Sequence, residues 1–101
     1  MSSRLPIPEV ALSELCKRNR IRRLSLFGSR LKGTFKPSSD VDLLVEFEPQ
    51  ATVTLLDMSR IERELSALLD GLKVDLLTAE DLSRYFRDEV TREAEVQYVA
   101  A

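Results

Sequence analysis

Three short stretches of this sequence carry side chains that could do chemistry together: Gly28-Ser29, Asp40-Val41-Asp42 and Asp75. Residues two apart on a strand point to the same side, so Asp40 and Asp42 would project their carboxylates together. Asp75 lies between Val74 and Leu76 and would point away from them and from the core they face. If its strand lies beside that of Asp42, the three carboxylates share one sheet face. Such a cluster repels itself: near 4 Å a pair of unit charges costs about 4 kcal/mol at an effective dielectric of about 20. A hard cation relieves the repulsion, and an oxygen-only ligand set suits Mg²⁺ or Mn²⁺. Gly28 lets backbone approach a phosphate closely, and Ser29 at a helix start would offer its hydroxyl and exposed N–H groups. Taken singly, each stretch has a plainer reading as a turn, a solvated strand start or a surface strand residue. The joint arrangement is what points to metal-assisted chemistry on a phosphate.

Composition narrows the alternatives. The chain of 101 residues has no histidine and one cysteine, Cys16. That excludes Ser-His-Asp and Cys-His nucleophilic catalysis within the chain, and zinc sites that need imidazole. A lone cysteine forms no internal disulfide and reads as a core residue in a reducing compartment, so the expected location is the cytoplasm. No apolar run nears the roughly 20 residues that span a membrane. The N-terminus has no long apolar stretch behind its positive charge and does not read as a secretory signal. Seventeen Asp+Glu against 15 Lys+Arg give a net charge of −2, which argues against strong nucleic-acid binding. The basic run at Lys17, Arg18, Arg20, Arg22 and Arg23 reads most simply as a solvated helix end and connection.

The elements that must position these residues are legible from periodicity. The length argues for one domain spanning residues 1–101. A helix is expected over residues 9–19, with Pro8 near its first turn and Val10, Leu12, Leu15 and Cys16 as a partial apolar stripe. A strand over 22–27 stops at Gly28-Ser29. One short helical turn follows over 29–32, ended by Gly33, and a loop over 34–39. Residues 41–47 form the clearest strand, with Val41, Leu43, Val45 and Phe47 on one face and Asp42, Leu44 and Glu46 on the other. Thr52 or Thr54 can cap a helix reaching residue 70, with Leu55, Met58, Ile61, Leu65, Leu68 and Leu69 at helical spacing and Gly71 as its terminal glycine. A short strand over 73–77 and a helical tail from Thr78 to about residue 90 follow, and residues 96–101 read equally as strand or tail. The long helix between the second and third strands permits a βαβ crossover, whereas the first two strands could pair in either sense. The fold class is α/β (α+β): a small mixed sheet with helices packed on one face.

The runs Leu26-Phe27-Gly28-Ser29-Arg30-Leu31-Lys32-Gly33 and Ser38-Ser39-Asp40-Val41-Asp42-Leu43-Leu44-Val45, with Val74-Asp75-Leu76 one helix later, resemble the signature of the DNA polymerase β-type nucleotidyltransferases. More narrowly, the chain resembles the minimal nucleotidyltransferases, small single-domain members of that superfamily. The resemblance covers residues 9–98. It implies a polymerase β-like mixed sheet flanked by helices and a site holding two Mg²⁺ ions. Asp40 and Asp42 would hold the metal, and Asp75 would complete the site and help deprotonate the acceptor hydroxyl. Gly28 and Ser29 would hold the triphosphate of ATP. Arg30 is either a further phosphate contact or a solvated helix residue. Ser39 is either a nucleotide contact or the cap of the Asp40 turn.

Many minimal nucleotidyltransferases are antitoxins paired with a HEPN-domain ribonuclease toxin. The resemblance therefore implies transfer of AMP from ATP to a tyrosine of such a toxin, in a hetero-oligomer. The segment 82–99, with Tyr85, Phe86, Tyr98 and Val99, either contributes to that interface or closes the core. Two other readings stand beside this one. The protein could neutralise its partner by binding alone, or act on a small-molecule hydroxyl without a protein partner.

Overall fold

A computed structural model of the chain describes residues 5–28 and 40–100. Eight elements follow one another: α1 (Glu9–Arg18), β1 (Ile21–Phe27), β2 (Val41–Phe47), α2 (Leu55–Leu68), β3 (Val74–Leu77), a 3₁₀ turn (Ala79–Asp81), α3 (Arg84–Glu93) and β4 (Glu95–Val99). The turn expected over 29–32, Gly33 and the loop over 34–39 lie outside the described residues.

The sheet has the order β3-β2-β1-β4. The pairing of the first two strands, open from sequence, is antiparallel, with Leu26 opposite Leu43 and Phe27 opposite Asp42. β3 joins β2 in parallel, as the α2 crossover allows, with Asp42 opposite Asp75. β4 adds antiparallel to the other side of β1, which settles the ambiguous C-terminal residues as strand. The sheet is therefore mixed, as expected.

One apolar cluster holds the molecule together. It joins Leu12, Leu15 and Cys16 of α1, Ile61 and Leu65 of α2, and the inward residues of the sheet, among them Leu24, Leu26, Val41, Leu43, Val45, Val74 and Leu76. Both helices thus lie on one sheet face, and Cys16 is a core residue, its thiol pushed up to about 12 by burial. Leu44 and Ser25, cross-strand partners, are also buried but belong to the opposite face, outside that cluster.

Three expectations need correction. Val10 is not part of the buried stripe of α1, being 71% exposed, and Leu55 of α2 is 86% exposed. Both sit in first turns, where the helix overhangs the core. The tail is not one helix from Thr78. Thr78 and Asp81 form a reciprocal cap around the 3₁₀ turn, the chain extends at Leu82, and α3 begins anew after Ser83, whose hydroxyl accepts from the Tyr85 N–H. Local side-chain-to-backbone bonds outcompeted the continuing helical pattern. Finally, Gly71 is not alone in the left-handed stop after α2: Asp70 (φ 57°) precedes it there, and the Gly71 N–H (φ 87°) reaches back to the Ser66 carbonyl at 2.8 Å.

Candidate active site

The site grows from the paired ends of three adjacent strands. β2 lies between β1 and β3, so Asp42 stands beside Phe27 on one side and Asp75 on the other. Asp40 enters β2 two residues earlier. The Val41 N–H that follows it donates to the Lys73 carbonyl at 2.8 Å, which ties this entrance to the start of β3. Asp75 depends on a second tether. The Leu76 N–H next to it donates to Glu62 Oε2 of α2 at 2.7 Å, so the helix anchors the four-residue strand that carries the carboxylate.

Asp75 and Asp40 both lie close enough to Asp42 to act on its charge. The Asp42 carboxyl is raised above the usual carboxylate range, first by partial burial, then by Asp75 and Asp40. Asp40 has a cation beside it, Lys73 Nζ at 3.7 Å from its Oδ2. Gly28 adds a steric fact. Its φ of 84° lies in the left-handed region, and a Cβ built there would overlap Asp42 Oδ2 and lie 3.1 Å from Asp42 Cγ. The glycine is therefore needed to seat the Asp42 side chain, besides any approach to phosphate.

Of the residues singled out from sequence, the structure brings Gly28, Asp40, Asp42 and Asp75 to one end of the sheet. Ser29, Arg30 and Ser39 lie outside the described residues. Sequence reasoning missed Lys73 and Glu62. Lys73 had a signal, a basic residue directly before Val74-Asp75, whereas nothing in the periodicity of α2 distinguishes Glu62 from its other solvent-facing acids.

The donor set fits a hard divalent cation, being all oxygen and carrying more negative charge than Lys73 can offset. Among the described residues no group of three or more acidic or cysteine side chains is already gathered as a metal cage. Mg²⁺ takes one or two carboxylates and draws its remaining ligands from water and substrate phosphates.

A model of the nucleotidyltransferase domain matches residues 9–99. The chain belongs to the nucleotidyltransferase-domain family. Within it, the chain is 41% identical over 80 residues to protein adenylyltransferase MntA of Thermococcus cleftensis, covering 79% of this chain and 78% of that protein. A solved chain described as a minimal nucleotidyltransferase superposes with a TM-score of 0.69 at 40% identity, covering 85% of each chain. A Shewanella oneidensis structure of a tri-AMPylated HEPN toxin with its MNT antitoxin superposes with a TM-score of 0.62 at 21% identity, over 91% of this chain and 70% of that one, a likeness of fold. The expected fold class and the resemblance read from sequence are both borne out. No described helix is long and apolar enough to cross a membrane.

Proposed function

We propose that this nucleotidyltransferase, a single domain, transfers AMP from ATP to a tyrosine hydroxyl of a HEPN-type ribonuclease toxin, and so serves as its antitoxin in a cytoplasmic hetero-oligomer. The observation that carries the reading is the register of Asp42 against Asp75, with Asp40 two residues before and Gly28 packed against the Asp42 carboxylate. The relative from Thermococcus cleftensis supports protein as the acceptor class.

In this reading Asp40 and Asp42, completed by Asp75, hold two Mg²⁺ ions. Bound Mg²⁺ would supply charge neutralisation at the phosphoryl oxygens and favour ionisation of the acceptor hydroxyl. The chain's own residues do the rest. Gly28 and Ser29 seat the triphosphate, with Arg30 and Ser39 as further nucleotide contacts. Asp75 accepts the proton of the acceptor hydroxyl. As that oxygen bonds to the α-phosphorus, the bond from the α-phosphorus to the bridging oxygen breaks, and pyrophosphate leaves with the electron pair. No histidine is needed, because carboxylates do the proton and charge work.

The test incubates the protein with Mg²⁺, ATP labelled at the α-phosphate and a HEPN-domain toxin from the same organism. Label should move to the toxin and not from an Asp42→Asn variant. Equal transfer by that variant would sink the assignment.

The binding-only reading is favoured by a separate observation, the apolar side chains of Leu55, Leu56, Tyr85 and Phe86 left exposed on α2 and α3. It predicts that Asp40→Asn, Asp42→Asn protein still silences the toxin when no label is transferred. Of the tail residues, Tyr85, Phe86 and Val99 are available to a partner, whereas Tyr98 packs against the core.

A further inference from the structure

The basic run near the end of α1 plays no part in the reaction just described, yet the structure builds a cavity around it. α1 ends at Arg18, Asn19 and Arg20 turn the chain, and β1 begins at Ile21. Across the gap, the Glu48 N–H donates to the Arg20 carbonyl at 2.9 Å, and the segment after it runs into α2. Between these walls lies a cavity of about 350 Å³, lined by Arg18, Asn19, Arg20, Gln50, Thr52 and Arg60, among others. That size is at the lower end for small-molecule sites.

The lining is organised. Asn19 is buried, and its carboxamide is used on every side described: Nδ2 donates to the Leu15 carbonyl (2.9 Å) and to Glu64 Oε2 (3.0 Å), while Oδ1 accepts from Arg60 Nη1 (2.8 Å). Asp57 holds Arg60 from the other side at 3.2 Å, and Glu64 holds Arg18 at 3.2 Å. Two guanidinium groups are thereby fixed in orientation while each side chain stays about half exposed. Arg20, which also lines the cavity, is exposed and has no ion-pair partner among the described residues. Its φ of 57° is left-handed, a conformation that the stop after α2 meets in part with Gly71. Three arginines against Asp57 and Glu64 leave one positive charge uncompensated. Oriented guanidinium groups recognise phosphate through paired N–H donors, and Gln50 and Thr52 supply neutral polar groups beside them.

We propose that this cavity is a second anion site, taking the phosphate group of a small phosphate-bearing ligand. It is separate from the carboxylate end of the sheet. β1 runs between them for seven residues, about 20 Å at about 3.3 Å per residue. The proposal does not depend on the transfer reaction.

The test records amide and side-chain NMR shifts during titration with inorganic phosphate and, separately, AMP. Both are run in EDTA, so that no metal-dependent binding occurs at the carboxylates, and at constant ionic strength. Saturable shifts at the Asn19 side-chain amide, Arg20, Ala51 and Thr52 are expected, unchanged in Asp42→Asn protein. Tighter binding of AMP than of phosphate would identify a nucleotide as the source, and equal binding the free anion. Arg20→Gly removes the charge while easing the backbone, so it should fold at least as well and bind about five- to tenfold more weakly. Arg60→Lys should weaken binding with the fold retained. Responses matched by chloride, shifts confined to the Gly28 and Asp42 end, or unchanged affinity in Arg20→Gly would each overturn the proposal.

Discussion

The two ends of the central strand pair treat charge in opposite ways. At the far end, where β1 begins and β2 finishes, most charges are paired: Arg22 and Arg23 share Glu46, Arg18 meets Glu64, and Arg60 meets Asp57, with a positive excess to which Arg20 adds. At the other end Asp75 and Asp40 lie near Asp42, whose carboxyl is raised first by partial burial and then by those two charges; among the described residues the cation beside them is the largely exposed Lys73. Acids crowded in this way cost stability in the metal-free protein, and the cation proposed above would relieve that cost.

The largest expected effect breaks the crowded end. Asp42→Asn should lower transfer by at least about a hundredfold, as removal of preorganised charge at a reacting phosphate does. The same change should leave the metal-free protein as stable or more so. The sign follows from the raised folded-state pKa: Asp42 favours folding in acid, and that contribution is lost as pH rises through the raised value. Thermal melts in EDTA should show the variant's advantage near pH 7 and its disappearance in acid. A variant less stable than wild type at pH 7 would mean that the carboxylate is structural.

Next come the two glycines. Gly28→Ala adds a Cβ against the Asp42 carboxylate in a left-handed backbone and should cost roughly 1–3 kcal/mol or more, with lost activity. Gly71→Ala keeps the strain but meets no atom within 4 Å, so it should cost only about 1 kcal/mol and spare activity. Equal losses in urea unfolding would show that backbone strain, not the Asp42 contact, fixes Gly28.

Smaller effects belong to caps and surface pairs. Thr54→Ala removes the acceptor for the Asp57 N–H at the start of α2 and should cost about 1 kcal/mol. Arg22→Ala should change stability by less than about 0.5 kcal/mol, since its pair with Glu46 is open to solvent. A larger loss there would mean that these ion pairs act cooperatively rather than as a sum of weak pairs.

Much of this was legible in the sequence because the deciding patterns are local. The alternation of Val41, Leu43, Val45 and Phe47 fixes which way Asp42 points, and the length of α2 permits β2 and β3 to run in parallel. What escaped was set by contacts between distant residues or by competition at helix ends. No pattern within β1 shows that it pairs antiparallel with β2 and also accepts β4. The break between Thr78 and Arg84 came from capping bonds that override an amphipathic run. The need for glycine at 28 was visible as a turn, but its contact with Asp42 exists only once β1 and β2 are paired.

The bond from Leu76 to Glu62 has a consequence beyond holding Asp75. β3 is one of the two outer strands of the sheet, and an outer strand is a template on which another chain can extend the ladder. Here the strand is four residues long, and one of its amides is already occupied by a carboxylate from the same chain. Glu62 therefore leaves this short edge with one donor fewer for a second sheet to pair with.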